Sequence, residues 1–122
     1  MATAAEPIEQ VKARIEEVDP ARAREELGSG DAILIDVREP AEWQQERIAE
    51  ATLVPRASVA ERIQELVPDR SRRVLLHCAS GNRSARAADA LSELGYEDVA
   101  SVAGGIKAWK QAGLPVLEPE GL

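Results

Sequence analysis

The residues best placed to do chemistry lie in one run, Val74-Leu75-Leu76-His77-Cys78-Ala79-Ser80-Gly81-Asn82-Arg83-Ser84, which contains the chain's single cysteine. The apolar start of this run reads as a buried strand, and the residues after Arg83 read as a helix. Between them lies a tight loop with Cys78 at its mouth and a glycine inside. The N–H groups of such a loop, and of the first helical turn, lack intrahelical partners and carry partial positive charge. They favour a thiolate at Cys78 and an anion beside it. A lone cytosolic cysteine is most often a small buried hydrophobe. Here the strand-to-helix turn, the glycine and Arg83 favour a reactive thiolate instead. A cation at a helix N-terminus opposes the dipole, so Arg83 is expected to serve an anion.

Loop length separates two chemistries. A Cys-x5-Arg loop is the phosphatase cradle, sized for a tetrahedral phosphate over the sulfur. Only Ala79, Ser80, Gly81 and Asn82 separate Cys78 from Arg83, one residue fewer. The smaller ring suits a single extra sulfur on Cys78 better than a phosphoryl group.

The rest of the chain must position this loop. At 122 residues it fits one domain with one real core. A hydrophobic content of 44% with 30% charged residues is ordinary for a folded protein. The core must be aliphatic, because Phe is absent and Trp43, Tyr96 and Trp109 are the only aromatics. A net charge of −7 argues against a nucleic-acid surface. No run approaches the roughly 20 apolar residues that span a bilayer, and the N-terminus lacks a secretory pattern. One cysteine and one histidine cannot build a structural zinc site, and an unpaired thiol fits a reducing cytoplasm.

Strand-like and helix-like segments alternate. Residues 7–17 carry Ile8, Val11 and Ile15 at helical spacing, and Asp19-Pro20 opens a short helix ended by Gly28 and Gly30. Strands are expected at 32–37, 52–54, 74–77 and 98–102. Helices are expected at about 40–47, 58–67 (capped by Ser58), 84–94 and 106–112. Near-continuous apolar strands between helices imply a parallel sheet covered on both faces. Such sheets bind ligands beyond the carboxyl ends of their strands, where Cys78 falls.

Three segments carry a family resemblance: Cys78–Arg83 followed by Ser84, Asp36-Val37-Arg38-Glu39-Pro40, and Gly104-Gly105-Ile106-Lys107-Ala108-Trp109. In this order they resemble the signatures of single-domain rhodaneses, the sulfurtransferases. The look is closest to modules found alone or fused to ubiquitin-like-protein activating enzymes. The resemblance implies an α/β three-layer fold with a central, mostly parallel five-stranded sheet. It places the domain at 17–116, behind a helical N-terminal extension at 1–16 and before a tail at 117–122. It also implies that Cys78 takes sulfur from thiosulfate or a persulfide and passes it to cyanide, a thiol or a protein. The loop from Ala79 through Ser80, Gly81, Asn82 and Arg83 to Ser84 would hold the persulfide, with no metal or cofactor. A non-catalytic protein-binding module, or a phosphatase or arsenate reductase, are the alternatives.

The chain departs from the tandem-domain thiosulfate enzymes in two places. Ser80 stands where they carry a basic residue, and Glu42 where they carry an arginine. Both remove positive charge, so thiosulfate is expected to bind less well and another persulfide becomes the expected donor. Glu46-Arg47-Ile48-Ala49-Glu50-Ala51 replaces the usual Gly-His-Ile-x-Gly-Ala, and the local backbone is expected to differ. Asp36 and Arg38 are read as a structural ion pair, with orientation of the loop as the functional alternative. His77 should point away from the sulfur as a buried, hydrogen-bonded residue. Trp43 and Trp109 are packing residues. Arg86 is read equally as a source of positive field at the mouth and as a surface arginine.

Overall fold

A computed structural model of the chain describes residues 6–119. The elements run α1 (Ile8–Ala13), β1 (Glu16–Val18), α2 (Pro20–Gly28), β2 (Ala32–Asp36), α3 (Pro40–Gln45), β3 (Ala51–Leu53), α4 (Val59–Leu66), β4 (Arg73–His77), α5 (Asn82–Glu93), β5 (Val99–Val102) and α6 (Gly105–Gln111). The five strands form one sheet in the order β1-β5-β4-β2-β3, every pair parallel. This sharpens the "mostly parallel" expectation.

Side-chain alternation along the central strands divides the core in two. On one face Ile35, Leu76 and Val74 meet Val59 and Ile63 of α4 and Ala88 and Leu91 of α5. On the other, Leu34, Leu75, Ala100 and Val102 meet Ala23 of α2 and Ile106 and Trp109 of α6. Trp109 is fully buried and its Nε1 donates to the Pro115 carbonyl at 2.8 Å, so this aromatic fills the aliphatic second face without losing its polar atom.

Four strands lie where the apolar runs predict them, and β1 does not. Its residues Glu16-Glu17-Val18 fall within and just after the stretch read as a helix over 7–17. The helix stops at Ala13, and only Val18 of the strand is buried. An edge strand with two exposed glutamates has too few apolar positions to show a period of two. The boundary drawn between residues 16 and 17 therefore cuts through β1. Similarly, Leu117 is tied to the domain through paired backbone hydrogen bonds with Arg47 (2.9 and 2.7 Å). Two further differences are local. Helix α5 begins at Asn82, two residues early, and Ser58 makes no side-chain cap to α4 but ends a 3-10 turn at Arg56–Ser58.

The Glu46–Ala51 segment adapts without strain. Glu46 pairs with Lys110 at 2.6 Å, Ile48 is fully buried, and β3 opens at Ala51. Among the described residues no non-glycine backbone has a positive φ, so the two glutamates occupy ordinary conformations.

Because the strands are parallel, the segments after β2, β4 and β5 all emerge at one edge of the sheet. They are the three signature segments of the sequence.

Candidate active site

Cys78 directly follows β4 and has 1% of its surface exposed, at the foot of the loop. Gly81, with φ of +102°, turns the chain into α5. That left-handed conformation belongs to glycine, and it aims the Gly81 N–H at the sulfur. Three polar groups converge on Sγ: the Gly81 N–H donates at 3.1 Å and the Ser84 N–H at 3.4 Å, and the Ser84 hydroxyl lies 3.4 Å away, a donor once the sulfur is a thiolate. Burial pushes the Cys78 thiol up, but the Ser84 hydroxyl and the N–H groups of Ser84, Gly81 and Ser80 outweigh it and hold the thiol below its ordinary range. The site therefore favours a thiolate, the nucleophilic form.

The loop carbonyls are equally constrained. The Ile106 N–H donates to the Cys78 carbonyl at 2.8 Å, and the Lys107 N–H to that of Ala79 at 3.2 Å. The first turn of α6 thus holds the outer side of the loop's peptide planes, leaving the N–H side toward the sulfur. The Gly104-Gly105 pair permits this approach. A Cβ on Gly105 would stand 2.3 Å from the Cys78 carbonyl oxygen.

Sequence reasoning missed Ser101. Fully buried on β5, its Oγ lies 2.7 Å from Ser84 Oγ. Ser84 Oγ also lies 3.3 Å from the Gly81 carbonyl. When Ser101 donates to Ser84, the Ser84 proton is directed to the sulfur or to that carbonyl. The contact spans seventeen positions of sequence, and the only available signal was a polar residue in a fully buried strand.

The other predicted residues divide. Asp36 and Arg38 form a buried pair, with Arg38 Nη2 2.8 Å from Asp36 Oδ2 and also donating to the Glu46 carbonyl. Their link toward the cysteine is indirect. Asp36 is in register with His77 across the sheet, and its Oδ2 lies 3.4 Å from His77 Nε2. His77 is fully buried, with Nδ1 3.3 Å from the Cys78 carbonyl oxygen. Burial depresses its pKa, so it stays neutral. Ala79 meets α6 through its carbonyl, while Ser80 and Asn82 are exposed at the rim. Arg86 donates to the Glu6 carbonyl on the α1 side.

Arg83 is engaged. Its Nη1 and Nη2 donate to Glu42 Oε1 and Oε2 at 2.6 and 2.8 Å. Arg83 and the N–H of Glu39 hold the Glu42 carboxyl down at about 2, so the pair is charged at every ordinary pH. The same carboxylate raises the Arg83 pKa further. Among the described residues no three His, Cys, Asp or Glu side chains are placed to hold a metal ion. No described helix is long and apolar enough to cross a membrane.

The sequence matches the rhodanese-like domain over residues 19–112. The chain belongs to the rhodanese-like family. It is 37% identical over 108 residues to a sulfurtransferase of Allochromatium vinosum, covering 88% of this chain and 99% of that one. It is 38% identical over 95 residues to the probable adenylyltransferase/sulfurtransferase MoeZ of Mycobacterium tuberculosis. That match takes in 75% of this chain but 24% of MoeZ, as befits a module within a fused protein. A thiosulfate sulfurtransferase of Pseudomonas aeruginosa superposes with a TM-score of 0.85 at 28% identity, over 94% of this chain and 22% of that one. The five-stranded parallel sheet is that of a rhodanese-like fold.

Proposed function

We propose that this rhodanese-like protein is a sulfurtransferase that carries sulfane sulfur on Cys78. The convergence of the Gly81 and Ser84 N–H groups and the Ser84 hydroxyl on Sγ is the observation that supports this reading most directly. A buried sulfur met by three donor contacts is stabilised as an anion, and so is the terminal sulfur of a persulfide built on it.

With thiosulfate, the Cys78 thiolate attacks the outer sulfur. The new S–S bond forms as the old one breaks, and that bond's electron pair leaves with sulfite. With an alkyl persulfide the same attack expels the alkyl thiolate. In the second step an acceptor (cyanide, a thiol or a protein thiol) attacks the outer sulfur of the Cys78 persulfide and regenerates the thiolate. One difficult transfer becomes two easier displacements, with no cofactor required. A reducing cytoplasm suits a catalytic thiol that must stay unpaired.

The test is incubation with thiosulfate, and separately with a polysulfide, followed by intact mass and thiocyanate measurement after cyanide. One added sulfur, absent in Cys78→Ser, with thiocyanate formed in turn is the expected result. No sulfur from either donor ends the proposal; a docking role is then supported if a protein partner binds Cys78→Ser as well as the native chain.

A further inference from the structure

The mouth of the loop holds an ion pair that the transfer chemistry itself does not require. Arg83 occupies the first turn of α5, where a cation opposes the helix dipole and calls for an anion. In this structure Glu42 is that anion, and both of its oxygens are committed to Arg83. Glu42 is itself anchored, because its Oε1 accepts the Glu39 N–H at 3.0 Å in a reciprocal cap at the start of α3. The carboxylate is therefore fixed to the scaffold and not free to swing aside. Glu39 adds a second negative charge within electrostatic range of Arg83, and Arg83 in turn feels Cys78. The neighbouring Arg38 is consumed by Asp36. Arg83 and Glu42 are each only about one-third exposed, so solvent screens the pair incompletely.

We propose that Glu42 is a specificity-determining residue: by clamping Arg83 it withdraws that cation from an incoming donor and turns the site from dianions such as thiosulfate toward persulfides of lower charge. This rests on the sulfurtransferase reading above. A dianion entering the mouth must compete with a bidentate carboxylate for Arg83 and also meets the field of two glutamates. A neutral or singly charged persulfide pays less of either cost and still finds the N–H groups of Gly81 and Ser84 at the sulfur.

The experiment compares the native chain, Glu42→Gln, Arg83→Met and the double variant. Gln keeps the size of the side chain and removes its charge; Glu42→Ala serves as a second variant if Gln perturbs α3. The first readout is the ratio of Cys78 alkylation rates by iodoacetate and iodoacetamide, an anion and its neutral analogue. The second is the KM for thiosulfate. Glu42→Gln is expected to raise the ratio, and lower the KM, on the order of tenfold at low salt, the low end of what a favourable cleft potential gives a charged substrate. The gain should fade with added salt and vanish in the double variant, because it needs a freed Arg83. An unchanged ratio in Glu42→Gln, or a gain that survives Arg83→Met, overturns the clamp. If no protein loads sulfur from any donor, the sulfurtransferase reading fails by itself, and the alkylation ratio still decides whether Glu42 governs anion access.

Discussion

At the level of single residues, the reactivity of Cys78 is set by donors from its own loop and by a hydroxyl reaching in from β5. Cys78, the glycine turn and the loop length are contiguous in sequence, so their chemistry follows from neighbours. Ser84 lies within that run, but the side chain that orients it comes from β5. The Ser101 hydroxyl is 2.7 Å from Ser84 Oγ, and Ser84 Oγ is 3.4 Å from the sulfur. A hydrogen bond to a charged group is worth about 1.5–3 kcal/mol. Ser84→Ala should therefore slow Cys78 alkylation at neutral pH on the order of tenfold, with the pH midpoint of the reaction displaced upward. The sign follows from the site: donors lower the thiol pKa against burial, so removing one leaves less thiolate. Ser101→Ala should move the midpoint in the same direction but less, and Ser101→Thr should restore it. A profile unmoved by Ser101→Ala, measured with iodoacetamide across pH, would reduce Ser101 to packing. The Glu42–Arg83 pair teaches the same lesson about distance. Sequence comparison marks Glu42 as a lost positive charge, whereas the fold makes it a partner that consumes a second one.

At the level of elements, apolar runs were sufficient for β2, β4 and β5, because strands buried on both faces need no alternation. Periodicity failed where an element borrows its stability from a neighbour, as β1 does by pairing with β5. The Gly104-Gly105 signature was legible as a helix start; its purpose was not, since that depends on α6 being pressed against the Cys78 loop. Gly105 has φ of +59°, and a methyl there would lie 2.7 Å from both the carbonyl carbon and oxygen of Ala79. Gly113, with φ of +78°, has nothing within 4 Å of the same position. The two glycines separate backbone strain from collision. Each Gly→Ala change carries the left-handed penalty, roughly 1–2 kcal/mol. Only Gly105→Ala should also displace the loop carbonyls and thereby misdirect the N–H groups at the sulfur. Urea unfolding should show a loss for both variants, larger for Gly105→Ala, whereas sulfur loading of Cys78 should collapse only in Gly105→Ala. Equal loading in the two variants would mean that α6 does not position the loop.

At the level of the whole molecule, residues 6–15 belong to the domain, a point that helical spacing alone could not decide. Spacing shows an apolar face on α1 but not what that face meets. Val11 is fully buried and Ile15 packs at the edge of the core beside α5. Arg14 reaches Asp89 on α5 with two contacts of 2.8 Å while also holding Glu6. These two attachments differ in kind. Burial of Val11 is apolar and indifferent to pH, whereas the Arg14 pair is partly exposed and weakened by solvent and salt. Removing two buried methyl groups and leaving their space empty costs about 2 kcal/mol, so Val11→Ala should lower the urea-unfolding free energy by that amount at pH 7 and at pH 4 alike. Arg14→Met should cost less at pH 7. Arg14 holds the Asp89 carboxyl below its ordinary 3.8, so that contribution is present above this value and disappears as acid protonates Asp89 in the folded state. The gap between Arg14→Met and the native chain should accordingly close as pH falls below about 4, while the Val11→Ala gap persists. Sulfur loading in folded Val11→Ala should match the native rate, because the N-terminal segment's polar links to α5 are at Arg86 and Asp89, beyond the first turn beside Cys78. Loss of loading in step with loss of stability would instead make the N-terminal segment a brace for the loop itself.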